Sequence, residues 1–471
     1  LVGSEMCIRD RMTVPNLFSL ANVEPASGKR DQGYLRTRNV AFFASAELGW
    51  KNMLYLSATG RCDWASQLVS NGDTPCIFYP SIGLSGIISE MVKLPEFISY
   101  LKLRTSYTEV GSPITQTGIT PGTVTDPMSG GVINPISTYP YPDFKPERTK
   151  SYEVGINARF LNGRISFDGT FYQSNTYNQT FLSVMSPATG YSGFYVQAGN
   201  VRNRGVEMTL GYNDTFGKVN YSTHLTYTAN QNKIVEMVHD YRNPIDNSLV
   251  NITELTLKEA GDVYLREGYS MSDVFTTGIL QRGRDGKLVE EGNGYQVDRS
   301  QRIRLGSADP DFTMGWRHDI NYKNISLGLM ITGRFGGIVT SQTQAFMDAF
   351  GVSKVSAEAR DNGGVMLDGH RYDAERYYNT VGGQGLMSYY TYDATNVRLQ
   401  ELSLTYSLPK KWLGDVFNNA TISFVGRNLF MFYRKAPFDP DMNGSTGTYN
   451  RSDFFMAPSL RNLGFSIKFS L

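Results

Sequence analysis

Hydrophobic and polar residues alternate along much of the chain, most clearly in residues 151–175, SYEVGINARFLNGRISFDGTFYQSN. The dipeptide Asn162-Gly163 lies between two alternating runs and favours the two positive-φ positions of a type I′ turn. The segment therefore predicts a β-hairpin with one apolar and one polar face. A strand of a soluble sandwich and a strand of a membrane barrel would both show this alternation. The predicted apolar pairs are Phe160 with Ile165, Ala158 with Phe167, Ile156 with Gly169 and Val154 with Phe171, and the polar pairs are Arg159 with Ser166, Asn157 with Asp168, Gly155 with Thr170 and Glu153 with Tyr172.

The same alternation predicts about thirteen strands over the whole chain. Their predicted spans are 34–49, 53–60, 77–90, 100–108, 151–161, 164–174, 201–212, 219–229, 312–322, 325–334, 395–407, 420–432 and 461–471. The best helix signal is a short turn around PKKWLGDVF, residues 409–417.

The connections between these strands alternate between short and long. The short ones are 50–52, 91–99, 162–163, 213–218, 323–324 and 408–419, and the long ones are 61–76, 109–150, 175–200, 230–311, 335–394 and 433–460. Soluble sandwiches mix their connections through Greek-key crossings, whereas outer-membrane barrels have short periplasmic turns and long external loops. The order predicts an all-β, antiparallel transmembrane β-barrel in which the Phe160 face meets lipid and the Arg159 face meets a lumen. Because barrels of one bacterial chain usually have an even number of strands, the thirteen are expected to be part of a larger barrel, whose missing part supplies an odd number of strands.

Composition fits a large β protein. The 471 residues include 47 Gly, 29 Tyr and 26 Phe, and the mean hydropathy is −0.31 with no apolar run long enough for a transmembrane helix. A net charge of +1 gives no reason to expect nucleic acid as a partner. Residues 1–11, LVGSEMCIRDR, do not have the pattern of a signal peptide and are interpreted as a non-native assembly artefact. Residues 12–33 are expected to be a loop remnant and 34–471 the C-terminal part of a barrel.

No pattern in the chain predicts a catalytic, cofactor or metal site. His224, His239, His318 and His370 are scattered, and GRDGK at 283–287 is a turn without the spacing of a phosphate loop. The segment FDPDMNG, 438–444, offers oxygen ligands for calcium but lacks the twelve-residue ligand register. We interpret Arg427 as a lumenal ion-pair residue rather than a substrate ligand, and His318 as part of an aromatic belt. No substrate-binding residue is assigned.

Cys62 and Cys76 lie at the two feet of the predicted loop 61–76. Cross-strand neighbours at such a position have Cα atoms about 5.5 Å apart, which a disulfide tolerates, and the external medium is oxidising. With Cys7 set aside, these two cysteines form a candidate bridge. The alternative is two unrelated small residues.

Several segments, in order along the chain, resemble the SusC/RagA family of TonB-linked outer-membrane transporters. They are GRCDWASQL (60–68), FYPSIGLSGIISE (78–90), LKLRTSYTEVGSP (101–113), FKPERTKSYEVGINARFLNGRISFDGTFYQSNT (144–176), AGNVRNRGVEMTLGY (198–212), GSADPDFTMGWRHDINYKNISL (306–327), VRLQELSLTYSLPK (397–410) and GRNLFMF (426–432). The resemblance covers about residues 40 to 471. The family's carboxypeptidase-like extension, TonB box and plug domain are not recognised in this sequence.

The resemblance implies a 22-stranded barrel in the outer membrane of a Gram-negative bacterium that imports a large nutrient, an oligosaccharide or a peptide. It also implies the TonB–ExbB–ExbD complex, a SusD-like surface lipoprotein and outer-membrane lipid as partners. A passive porin or a surface glycan-binding β-protein is the alternative. Aromatic residues in the loop segments 192–200, 387–396 and 445–456 would suit stacking on sugar rings, a loop core, or contact with the lipoprotein.

Overall fold

The computed structural model describes residues 14, 36–66, 76–112, 138–139, 145–184, 186, 188, 190–242, 248–257, 263–413, 417–441 and 452–470. The segment 1–11 and nearly all of 12–33 lie outside these residues, so the interpretation of both stays a prediction.

Thirteen long strands form one antiparallel sheet, which we call the wall, and each strand pairs with its neighbours in the sequence of wall strands. They are β1 (Asn39–Trp50), β2 (Leu54–Ala65), β3 (Ile77–Ile87), β4 (Ile98–Ser112), β5 (Glu147–Phe160), β6 (Ile165–Val184), β7 (Gly193–Phe216), β8 (Val219–Glu236), β9 (Phe312–Tyr322), β10 (Ile325–Phe335), β11 (Asn396–Ser407), β12 (Asn419–Arg434) and β13 (Asn462–Ser470). The predicted number and order of the strands are confirmed. In the described residues β1 and β13 are the two edges of the sheet, and the total of 22 strands stays a prediction.

The hairpin of β5 and β6 has the predicted register, from Phe160 opposite Ile165 to Glu153 opposite Tyr172. Asn162 and Gly163 have φ angles of 56° and 84°, and the amide of Arg164 donates to the carbonyl of Leu161 at 3.3 Å. The turn chemistry therefore fixes the register, and the register decides which side chains share a face.

Two of the predicted connections are wrong. β6 and β7 pair up to Val184 opposite Gly193, so most of 175–200 is strand rather than loop. β2 continues to Ala65, which places Cys62 inside the ladder opposite Phe78. Strands can pair through their backbone hydrogen bonds even where the side chains on both faces are polar. Such residues show no alternation of hydrophobic and polar positions, so the sequence does not reveal the strand.

The connections contain smaller elements, of which the sequence analysis predicted only the short turn around 409–417, where the 3₁₀ turn Lys410–Trp412 lies. Helices α1 to α4 are Ile88–Met91, Gln342–Ala349, Lys354–Asp361 and Ala374–Val381, and 3₁₀ turns are Met387–Tyr389 and Lys410–Trp412. Short strands are Thr138–Tyr139, Val238–Arg242, Leu249–Ile252, Glu254–Thr256, Tyr264–Arg266, Asp273–Leu280, Glu290–Glu291, Gly294–Tyr295, Val297–Ser307, Ile338–Ser341, Val365–Leu367, His370–Tyr372, Thr391–Asp393 and Ser452–Asp453. None of the helices in the described residues is long and apolar enough to cross a membrane.

Apart from small residues such as Ala158 and Ala420, the buried apolar residues lie in the long connections and where these meet the wall. One cluster centres on Leu386, Val381 and Tyr390, and a second joins Val201 and Ile234 of the wall to the connection that follows β8. The residues of that connection in the second cluster include Leu255, Leu257, Leu265 and Met271. The apolar side chains of the wall are exposed instead, for example Phe465 at 79%. An exposed apolar face on a ladder of this length is typical of a barrel surrounded by lipid.

Candidate functional site: the inner face and the loop body

The polar face of the wall, which we call the inner face, carries an ion pair that spans three strands. Arg104 of β4 reaches across β5 and donates to both carboxylate oxygens of Asp168 on β6, at 3.0 and 2.8 Å. Asn157 donates to the same carboxylate at 2.8 Å. Gly155 makes this crossing possible, because a Cβ atom there would lie 2.5 Å from Nε of Arg104. The pair is bidentate, which fixes its geometry as well as its charge.

A second network joins β9, β11 and β12 on the same face. Arg317 contacts Asp319 at 2.9 Å and Glu401 at 3.7 Å, and Arg427 contacts Glu401 at 3.0 Å. The predicted ion pair of Arg427 is therefore confirmed. Charged groups that face each other across strands suit a surface in contact with water and not with lipid.

The inner face also carries a cleft of about 500 Å³ between β1 and β5. Its lining includes Glu47, Tyr55, Lys102, Arg104 and Glu153, which offer charges of both signs and hydrogen-bonding groups. Groups of this kind bind a polar solute through many weak contacts. No cluster of three metal-ligating side chains occurs in the described part of the chain, and its four histidines do not meet.

Residues 438–441 of the candidate calcium segment 438–444 form an ion cluster at the mouth of the wall, and 442–444 lie outside the described residues. Arg398 of β11, with a side chain only 6% exposed, contacts Asp439 at 2.9 Å and Asp441 at 2.7 Å. Burial opposes ionisation of Asp439, but hydrogen bonds from Ser459, the Asp441 backbone and Arg398 outweigh it and lower its pKa. These two carboxylates therefore hold the connection after β12 against the wall.

Residues 273–307 and 338–394 pack together above the wall, and we call them the loop body. Ser341, Ser353 and Asp373 cap helices α2, α3 and α4 through their side chains. These three caps were the sequence signal that could have revealed the helices. Tyr390 is 3% exposed, and burial, more than any charge, raises the pKa of its phenol. The aromatic residues of the loops were considered for sugar stacking, a loop core or contact with the lipoprotein. Tyr390 therefore belongs to a loop core.

An apolar surface remains exposed on the outside of the loop body. Phe346 lies 6.0 and 5.9 Å from the rings of Phe454 and Phe455, and Phe350 and Val352 follow at the end of α2. We call these five residues the loop apolar patch. Phe350 is 77% exposed and Val352 is 73% exposed. Contiguous exposed apolar side chains mark surfaces that bind another protein or a membrane.

His318 faces outward near the short turn 323–324, as expected for an aromatic belt. Its ring lies 4.4 Å from that of Trp316, and its Nδ1 is 2.8 Å from the hydroxyl of Tyr221. Amphipathic rings of this kind are enriched at the boundaries of a bilayer.

The structure places Cys62 and Cys76 with their Cα atoms 5.6 Å apart and joins their sulfur atoms. The separation fits the range that a disulfide tolerates. The bridge stays a prediction of the sequence analysis, with a chemical test given below.

Comparison with known proteins agrees with this architecture. Residues 10–332 match the family model described as TonB dependent receptor-like, beta-barrel. This chain belongs to that family. It is 24% identical to TonB-dependent receptor P3 of Formosa agariphila over 98% of the chain and 48% of the relative. It is also 24% identical to TonB-dependent receptor SusC of Bacteroides thetaiotaomicron, over 95% of the chain and 45% of the relative.

Among solved structures, the RagAB peptide transporter has a similar fold. The TM-score is 0.67 at 18% identity, and the match covers 94% of this chain and 49% of that one. The chain thus spans about half the length of the proteins that it matches. The resemblance to the SusC/RagA family is confirmed, as is the antiparallel barrel fold. Membership of the receptor family implies an outer membrane of a Gram-negative bacterium.

Proposed function

We propose that the protein containing this chain imports a large polar nutrient, an oligosaccharide or a peptide, through an outer membrane. The observation that carries the proposal is the family match together with an inner face lined by ion pairs and a polar cleft. A polar inner face lets a hydrophilic solute exchange its water for protein groups during passage. The lining provides binding and positioning groups, and no covalent step is required of it.

Two partners follow from this proposal. The TonB–ExbB–ExbD complex would supply the energy, and a SusD-like surface lipoprotein would cap the extracellular mouth. The loop apolar patch supports the second partner, since it is exposed and apolar and lies with the long connections, which the predicted topology places outside the cell. Phe350 and Phe455 are its most accessible rings, at 77% and 63%.

A passive porin is the second candidate, because it too has a polar lumen. The large connection 336–395, which shares a buried core with Leu280, Leu288 and Tyr295 of the preceding long connection, favours the importer, since loops of this size are usually functional. Dependence on TonB separates the two candidates.

Uptake by whole cells tests the import proposal. Strains that carry or lack the full-length gene, each with and without a functional TonB protein, are given fluorescently labelled oligosaccharides and peptides. We expect uptake of one class that needs both the gene and TonB. Uptake that needs the gene but not TonB would support the porin instead.

Co-purification tests the lipoprotein proposal. We expect the double variant Phe350→Ser/Phe455→Ser of the full-length protein to recover much less lipoprotein than wild type. Leu249→Ser is the matched control, because Leu249 is 63% exposed in another extracellular connection. Equal recovery by both variants would remove the patch from the interface.

A further inference from the structure

The outer face of β4 to β8, which carries Val154 and Phe171, is largely apolar along most of the strands. The ladder registers define rows of side chains that neighbour each other across the five strands. Three successive rows, listed from β4 to β8, are Leu101, Ala158, Phe167, Leu210, Leu225; Leu103, Ile156, Gly169, Met208, Tyr227; and Thr105, Val154, Phe171, Val206, Ala229. This surface is the part of the wall that lipid chains cover.

The next two rows toward the extracellular side change in character. The first contains Tyr107, Tyr152, Gln173, Arg204 and Gln231, and the second contains Glu109, Lys150, Asn175, Arg202 and Lys233. Arg148 lies one row further out on β5. We call Arg148, Lys150, Arg202, Arg204 and Lys233 the basic belt.

In the described residues only one acidic group forms ion pairs with the belt, although Asp273, Asp309 and Asp311 line a cleft that includes Lys233. Glu109 lies 3.5 Å from Arg148 and 3.7 Å from Lys150, so one carboxylate serves two cations. Glu236 is exposed at the outer end of β8, opposite Asn200. The described residues offer no ion pair to Arg202 or Lys233.

Arg202 and Lys233 are also directly opposite each other in the ladder. Like charges in this arrangement repel and destabilise the sheet. An anion bound between the two side chains would remove that cost. The pairing therefore points to a negatively charged ligand at this position.

We propose that the basic belt binds the phosphate groups of lipid in the outer leaflet. The belt is continuous with the lipid-covered rows, so its ligand must carry apolar chains as well as negative charge. The rings of Tyr107 and Tyr152, 4.8 Å apart, lie between the two zones, where amphipathic rings mark the edge of a bilayer. The Arg202 row lies about 7 Å further along the strands, at the depth of head groups. Arginine and lysine form strong charge-assisted hydrogen bonds with phosphate.

Lipid binding by the full-length protein in detergent tests this inference, which depends on the outer-membrane location and not on the nutrient. The probes are diphosphorylated lipid A and the same lipid after removal of both phosphates. We expect wild type to prefer the phosphorylated probe, and Arg202→Gln/Lys233→Gln to bind it about tenfold more weakly. The control Arg284→Gln/Lys287→Gln removes the same charge from the turn 283–287 of the loop body, where both residues are exposed, and should bind like wild type.

Equal binding of the two probes by wild type would overturn the proposal, as would equal affinity of the belt variant and wild type. A belt variant that keeps its lipid affinity but loses the surface lipoprotein on purification would assign the belt to a protein partner and would overturn the lipid proposal too.

Discussion

The wall and the loop body belong to one chain but are held together differently. In the wall, large apolar side chains such as Phe42 and Phe465 are 69% and 79% exposed, and the strands are joined by continuous backbone ladders. In the loop body, Leu386 and Val381 are 0% and 1% exposed within a cluster of tyrosines. The loop body is therefore stabilised like a small soluble domain, whereas the wall depends on its ladder and on the surrounding lipid. Substitutions in the two regions should have different effects.

The largest effect is expected where the two regions meet, at Arg398. Arg398→Met leaves the buried carboxylate of Asp439 without its cation, while Asp441 keeps its contact with Arg334 at 3.9 Å. Breaking a buried pair in this way costs about 3–5 kcal/mol. We expect faster hydrogen exchange in 435–441 and an unchanged wall, measured by mass spectrometry on the full-length protein. The double variant Arg398→Met/Asp439→Leu should recover much of the protection. If hydrogen exchange in 435–441 were as fast in the double variant as in the single variant, the ion-pair explanation would be contradicted.

The second largest effect is expected from a cavity created in the loop body. Leu386→Ala removes a fully buried side chain, which costs about 2–5 kcal/mol. Limited proteolysis should then cut within 338–394, while the heat-modifiable mobility of the barrel on gels stays the same. Leu404→Ala on the outer face of the wall is the control, since Leu404 is 48% exposed and should change neither readout. Loss of heat-modifiable mobility in Leu386→Ala would show that the two regions unfold together.

The next prediction concerns the disulfide between β2 and Cys76, near one edge of the wall. A bridge between Cys62 and Cys76 closes a loop with a sequence separation of 14, which contributes about 3 kcal/mol by restricting the unfolded chain. We expect neither cysteine to react with a thiol label when the full-length protein is unfolded without reductant, and both to react after reduction. Labelling of both before reduction would exclude the bridge.

A substitution at Gly155 tests the ion pair on the inner face of the wall, and we expect a smaller loss of stability. Gly155→Ala would place a Cβ atom 2.5 Å from Nε of Arg104 and displace that side chain from Asp168, which we expect to cost about 1–3 kcal/mol. The midpoint of thermal unfolding in detergent should fall. Gly464→Ala in β13 is a matched control, because a Cβ atom there meets nothing within 4 Å. Equal midpoints for the two variants would show that the crossing of Arg104 has no energetic weight.

The difference between local signals and long-range packing explains which elements of the fold could be predicted from the sequence. The register of β5 and β6 followed from Asn162-Gly163 and the alternation around it, because both are local signals. In β6 the residues from Ser174 to Thr180 are mostly polar on both faces, so the alternation that marks a strand is missing there. Helices α2 to α4 have eight residues each and depend on tertiary packing, which their sequences show only through the caps at Ser341, Ser353 and Asp373.

The candidate site was predictable to a similar degree. The ion pair of Arg427 followed from its place in a strand of alternating residues. The partners of Arg398 did not, because Asp439 is 41 positions away in the sequence and only the fold brings it near. The crossing of Arg104 over Gly155 has the same origin, since it joins three strands. Long-range contacts of this kind leave no periodicity in a single sequence.

The smallest expected effect concerns pH and lies outside the wall, at His239. The hydrogen bond to Glu267, whose Oε2 lies 3.1 Å from Nε2, is the main reason that the pKa of His239 is raised, and the same bond lowers the pKa of Glu267. A raised histidine pKa means that the stabilisation is complete below the usual value of about 6.5 and is lost as the pH rises through the folded value. Because the pKa of Glu267 is lowered, the stabilisation that its carboxylate contributes is lost as the pH falls through the pKa of that group in the folded protein. We expect hydrogen exchange in 238–242 to be slower at pH 6 than at pH 8, after correction for intrinsic rates. His239→Gln should show no such difference, and a difference that persists in this variant would assign the pH dependence to another group.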